Sequence, residues 1–239
     1  MSARKVVAFV PCRAGSERVK SKNTRVFAGI EGGLIAVKLG QLDTSRHINE
    51  IVVSSNDDEV LEIAKRFAKA ACKPVRVERR AEKLSLTTTS IADLSMHAAD
   101  MAGDNNIVVW AHVTSPLVRA EDYDSMIKAY EAAVAAGTHD SLMTVTVIRK
   151  FLWSEDGPFN YRTTPLKWPR TQDLPPIYEV NSASFIADVE TCRKNYDRVG
   201  TSILRYEMDE WRAVDVDWEH DFQMAEVLYR HVSAEGWPE

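Results

Sequence analysis

Near the start of the chain, Arg13, Arg18, Lys20 and Lys22 fall within ten residues, with Gly15 and Ser16 between them. Cations set around a small, pliable backbone suit the neutralisation of phosphate oxygens. Backbone N–H groups near Gly15 and Ser16 could form a concave anion nest. The plain alternative is a solvated, charged surface turn. This loop is neither a Walker A motif nor a dinucleotide fingerprint, because Gly15 has no second and third glycine at the required spacing.

Asp215 and Asp217 flank Val216 near the other end of the chain. On a strand, residues two apart face the same side. Two neighbouring carboxylates repel unless a cation sits between them, and oxygen ligands combined with substrate phosphates suit Mg²⁺. A solvated strand end, with Asp217 capping the following helix, is the other reading.

Three further stretches carry polar groups where a ligand could use them. Ser85, Thr87, Thr88, Thr89 and Ser90 precede a helical pattern. One of them would cap that helix, and the others could read the edge of a base. His112-Val113-Thr114-Ser115-Pro116-Leu117 leaves an apolar run at its carboxyl end, where open α/β sheets bind ligands. It reads equally as a proline-ended turn. Gln172-Asp173-Leu174-Pro175 and Asn181 are polar groups around prolines, as common in turns as in sites.

The elements that would position these residues alternate between β-rich and helical patterns. Strands are expected at Val6–Val10, Ile51–Ser55, Val75–Val77, Ile107–Ala111, Leu142–Ile148, Ser182–Ala187, Ile203–Tyr206 and Ala213–Asp217. Helices are expected at Leu34–Leu42, from Asp57 to about Ala70, at Thr88–Met101, at Glu121–Ala136 closed by Gly137, and from Glu219 to about Val232. The alternation predicts an α/β fold with a mostly parallel, doubly wound sheet. Residues 150–177 break the pattern, with Phe151, Trp153, Phe159, Tyr161 and Trp168 interspersed with five prolines. Those aromatics must be buried on something, either as a lid on their own domain or as an arm on a second subunit.

At 239 residues, with 45% hydrophobic and 27% charged side chains, the composition is that of a globular domain. A net charge of -5 argues against nucleic-acid binding and makes the basic loop a local feature. Cys12, Cys72 and Cys192 show no metal spacing and point to a reducing, cytoplasmic setting. No apolar stretch reaches the ~20 residues of a membrane span.

Taken together, the motifs resemble the acylneuraminate cytidylyltransferase family, the CMP-sugar-acid synthetases. The resemblance rests on Cys12-Arg13-Ala14-Gly15-Ser16 through Lys22-Asn23, on Val52-Val53-Ser54-Ser55-Asn56-Asp57-Asp58, on Thr114–Leu117, on Gln172–Pro175, and on Asp215 with Asp217. It implies one Rossmann-like nucleotidyltransferase domain over residues 1–239, with 150–177 as a protruding element at a homodimer interface. It also implies that CTP is attacked at its α-phosphate by the anomeric hydroxyl of a 2-keto-3-deoxy sugar acid, with Mg²⁺ held by Asp215 and Asp217.

By the same resemblance, Arg13 and Lys22 would hold the triphosphate, helped by Ala14, Gly15 and Ser16. Asn23, Arg79 and Ser90 would contact the cytidine. His112, Ser115, Arg170, Gln172 and Asn181 would line the acceptor side, with Arg162, Lys167 or Arg170 able to reach the other subunit. The chain departs from sialate-activating members at Leu86, His112, Glu179 and Ser182–Phe185. These departures leave open another nonulosonic acid, 3-deoxy-octulosonate, a phosphonate, or a non-catalytic nucleotide-binding regulator.

Overall fold

The first apolar run becomes β1, Val6–Cys12, buried at every residue except Pro11. Its side chains alternate between two cores. Val6, Ala8, Val10 and Cys12 face one, and Val7 and Phe9 face the other. A strand buried on both faces is the mark of a sheet sandwiched between helices. The computed structural model of the protein, which describes residues 4–16 and 18–236, has this architecture.

After β1 the chain forms α1 (Gly33–Thr44), β2 (Glu50–Ser55), α2 (Asp58–Ala68) and β3 (Val75–Arg79). Next come α3 (Ile91–Ala102), β4 (Ile107–Ala111), α4 (Ala120–Ala135) and β5 (Ser141–Ile148). A small hairpin of β6 (Trp153–Ser154) and β7 (Gly157–Pro158) lies in the proline-rich stretch. The chain ends with β8 (Ile177–Asp188), α5 (Val189–Asn195), β9 (Ile203–Glu207) and α6 (Glu219–Glu235). Asp57 accepts the Glu59 N–H at 3.0 Å and so caps α2, as its side-chain chemistry favours.

The sheet order is β3-β2-β1-β4-β8-β5-β9. Strands β1, β2, β3 and β4 pair in parallel, as do β5 and β9, while β8 runs against both β4 and β5. Residues of α1, α2, α4 and α6 join the larger core, and those of α3 and α5 join the smaller one. The expected doubly wound, mostly parallel sheet is therefore present. Among the described residues, no helix is long and apolar enough to cross a membrane.

Three expectations change most. Ala213–Asp217 is a turn and loop outside the sheet, whose edge on that side is β9. Its Val216 N–H goes to the Thr114 carbonyl at 2.8 Å. Helix α3 starts at Ile91, since Ser90 takes the capping position. Strand β8 begins at Ile177, five residues earlier than expected, and its pairing with β5 shifts register between Met143 and Val145. That irregularity takes Asn181–Ser184 out of the ladder with β5, while Ser184 still pairs with Ala111 of β4.

In the stretch 150–177, Phe151 meets the Trp168 ring edge-on at 5.4 Å, and Trp153 stacks on Trp168 at 6.4 Å. The aromatics thus pack partly on one another, but Trp153, Phe159, Leu166 and Trp168 remain more than half exposed.

Candidate active site

The basic loop leaves β1 at its carboxyl end and is pinned from three sides. Val19 is buried in the larger core. Asn23 donates from Nδ2 to the Arg13 carbonyl at 3.2 Å, and its own carbonyl accepts the Ile35 N–H of α1 at 3.0 Å. Arg25 forks onto Glu219 of α6 at 2.9 and 3.1 Å. Glycine is required where α1 begins. Gly33 has φ +62, and a Cβ there would lie 2.2 Å from the Arg25 carbonyl oxygen.

This pinning places Arg13, Ser16, Lys22, Asn23, His112 and Thr114 around one cavity of about 260 Å³. Gly15 adopts φ +78 within the loop. The Ala14 N–H is already donated to Asn56 Oδ1 at 2.9 Å, which takes it out of the expected anion nest. A second cleft of about 590 Å³ is lined by Asn181, Ser182, Glu179, Lys150, Asp215 and Asp217 among others.

Lys22 joins the two cavities. Its Nζ donates to the Val216 carbonyl at 2.8 Å and lies 3.7 Å from Asp217 Oδ1. Burial pulls the Lys22 amine below its usual range, and the nearby Asp217 and Asp215 carboxylates oppose that shift. Arg18 donates to Asp217 Oδ1 at 2.9 Å, and its guanidinium sits 5.0 Å from the centre of the Trp218 ring. Burial pushes the Asp215 carboxyl above its usual range; a Thr114 hydrogen bond counters this, and Asp217 adds to the rise. Asp215 Oδ1 is buried and has no hydrogen-bond partner. The loop's cations and the two carboxylates are therefore one constellation, able to face a polyanion and a cation together.

His112 is half-buried at the same junction. A carbonyl can only accept, so the 2.6 Å contact to the Ser182 oxygen makes His112 Nδ1 the protonated nitrogen. Burial, reinforced by the Arg198 guanidinium, lowers the imidazole to about 4, so the ring is neutral and Nε2 is a free acceptor.

Other expected site residues lie elsewhere. Arg79 pairs with Asp58 on the outer surface. The Ser90 hydroxyl accepts the Asp93 N–H at 3.0 Å as the cap of α3. Ser115 is fully buried beneath its turn, on neither cavity wall. Arg170 is committed to Asp173 at 2.8 and 3.0 Å, and Gln172 lies in the same short 3₁₀ turn. Two residues that bind the constellation together, Arg18 and Thr114, stand inside recognisable motifs. Nothing in their types announces the carboxylates they hold, because those partners are about a hundred residues or more away.

A helix-flanked, largely parallel sheet with its cationic loop at the carboxyl end of the first strand is a Rossmann-like nucleotidyltransferase fold. The sequence profile of the cytidylyltransferase family matches residues 7–204, and the chain belongs to that family. It is 25% identical over 236 residues to the post-translational flagellin modification protein B of Campylobacter coli, covering 94% of this chain and 95% of that one. It is 26% identical over 234 residues to the CMP-N,N'-diacetyllegionaminic acid synthase of Legionella pneumophila, covering 94% and 96%. The fold matches that of a CMP:2-keto-3-deoxy-manno-octonic acid synthetase solved with CTP. The TM-score is 0.65 at 13% identity, over 95% of this chain and 99% of the other.

Proposed function

We propose that this chain transfers CMP from CTP to the anomeric hydroxyl of a 2-keto-3-deoxy sugar acid of the sialic or related nonulosonic class. The hydroxyl oxygen forms a bond to the α-phosphorus as the bond to the bridging oxygen breaks. Pyrophosphate leaves, and the hydroxyl proton passes to solvent. The observation that carries this reading is the Lys22 junction, where the loop suited to a triphosphate meets Asp217 beside a second, polar cleft. The name of the Legionella relative supports a nonulosonic acid as acceptor.

Asp215 and Asp217 would hold a Mg²⁺ ion. The buried, unpartnered Asp215 Oδ1 is an acceptor position that a hard cation would satisfy. No group of three or more His, Cys, Asp or Glu that could hold a metal occurs among the described residues, so phosphate oxygens and water would complete the shell. When bound, the ion supplies charge neutralisation at the reacting phosphate. In this reading Lys22 and Arg18 exchange Asp217 for phosphate oxygens as the nucleotide enters, and Asn181 with His112 Nε2 faces the acceptor. The chain works in the cytoplasm, where its free Cys12, Cys72 and Cys192 stay reduced. It works as a homodimer through the exposed aromatics of 150–177.

The test is pyrophosphate release with CTP and Mg²⁺ against N-acetylneuraminate, other nonulosonates, 3-deoxy-octulosonate and simple phosphonates. Release with a nonulosonate is expected. Release with a phosphonate alone would replace the sugar-acid reading. CTP binding without release on any acid would favour a nucleotide-binding regulator.

A further inference from the structure

Helix α1 carries one lysine, and it points into the core. Lys38 is fully buried, on a helix whose other buried side chains include Leu34, Ile35, Leu39 and Leu42. An ammonium is costly to bury, so a lysine kept at such a position has specific partners. Lys38 Nζ donates to the Ser115 carbonyl at 2.9 Å and meets Tyr123 Oη at 2.9 Å, and it lies 5.1 Å from the centre of the Tyr123 ring. The nearby Asp122 carboxylate is turned to Arg212 at 2.9 Å and to the Arg119 N–H at 2.8 Å. An amine with either two or three hydrogens can make both contacts, so the arrangement does not hinge on its charge.

What Lys38 grips is a turn. One helical turn further along α1, Gln41 Nε2 donates to the next carbonyl, that of Pro116, at 2.6 Å. The same turn presents Thr114 upward. The Thr114 carbonyl accepts the Val216 N–H at 2.8 Å, directly between the two carboxylates. A continuous path of contacts thus runs from Lys38 through Ser115 and Thr114 to the segment holding Asp215 and Asp217.

We propose that Lys38 is a positioning residue: by fixing the 114–116 turn from below, it sets the two carboxylates in register for a metal–nucleotide complex. This rests on the reading that Asp215 and Asp217 serve that complex. Groups that orient metal ligands without touching the metal commonly change metal affinity by about 10–100-fold when removed.

The experiment compares wild type with Lys38→Met, which keeps the long stem and loses the donor, and with Gln41→Ala, a milder change on the same turn. Mn²⁺ binding in the presence of CTP is read by electron paramagnetic resonance, CTP binding in EDTA by calorimetry, and half-saturating Mg²⁺ from pyrophosphate release. Lys38→Met is expected to weaken Mn²⁺ binding and raise half-saturating Mg²⁺ by about 10-fold, with CTP affinity in EDTA within about twofold of wild type. Gln41→Ala should move the same quantities in the same direction by about two- to threefold, and carries the test if Lys38→Met does not fold. A folded Lys38→Met, or failing that a Gln41→Ala, with wild-type Mn²⁺ binding overturns the proposal and leaves Lys38 a purely structural donor. Wild-type Mn²⁺ binding in Asp215→Asn and Asp217→Asn would instead overturn the metal reading on which it rests.

Discussion

His112 and Ser182 are two of the departures from the sialate-activating pattern, and a single hydrogen bond makes them one feature. Ser182 has φ +58, a left-handed conformation that costs a non-glycine residue about 1 kcal/mol. The His112 Nδ1–H holds its carbonyl there. Replacing His112 with Phe keeps a flat ring but strands that carbonyl, for an expected loss of about 1–3 kcal/mol in urea unfolding. Adding Ser182→Gly should return about 1 kcal/mol of it. Both variants should raise KM for the acceptor while leaving KM for CTP near wild type, and an unchanged acceptor KM would remove His112 from the acceptor wall.

Asp215 offers a second residue-scale prediction. Its carboxyl is raised by burial, so the folded chain holds that proton to higher pH than the unfolded chain does. Stability is therefore lost as pH rises through the carboxylate range. Asp215→Asn should abolish turnover yet gain about 1 kcal/mol at neutral pH, with the gain fading in acid, as a pH series of melting curves would read. The types and spacing of Arg13, Lys22, Asp215 and Asp217 made these groups legible in sequence. Lys38 was not, because a lysine amid leucines on a helix gives no hint that a distant carbonyl needs its donor.

At the scale of elements, the strands of the parallel half were readable because buried β-branched runs such as Ile107–Ala111 have few alternatives. Ala213–Asp217 misled for a physical reason. Its alternation fits a strand, but it is used one bond at a time, to tie Val216 to Thr114. The start of β8 was hidden because Glu179 and Val180 are exposed there and the pairing is irregular. The joint between the basic loop and α1 gives the element-scale prediction. Gly33→Ala would press a methyl group into the Arg25 carbonyl at a positive φ. It should cost about 1–3 kcal/mol and, by shifting the turn next to Lys22, raise KM for CTP. Thermal melts and CTP kinetics check both, and a destabilised variant with unchanged KM would mean that the loop is positioned independently of α1.

At the scale of the whole molecule, 150–177 presents an apolar surface to solvent. Trp153 and Trp168 are each 58% exposed, Phe159 66% and Leu166 65%, all within sixteen residues. Their geometry is already set, with Phe151 wedged edge-on against Tyr161 at 5.0 Å and Trp168 stacked over Trp153. A preformed, exposed aromatic patch loses little side-chain entropy on docking, which favours association. Excising the stretch would also disturb β8, whose Ile177 pairs with Ile148, so point changes are the cleaner probe. Phe159→Ser with Leu166→Ser leaves the Trp153–Trp168 stack in place and removes two protruding apolar side chains. Sedimentation velocity at micromolar concentration should show wild type as a dimer and this variant shifted to monomer, with near-native melting because neither side chain is buried in the single chain. If the arm also completes the partner's acceptor cleft, turnover should fall with the monomer fraction and recover as protein concentration rises. A monomeric variant with full, concentration-independent activity would confine the arm to assembly and leave Arg162, Lys167 and Arg170 without a role in the second site.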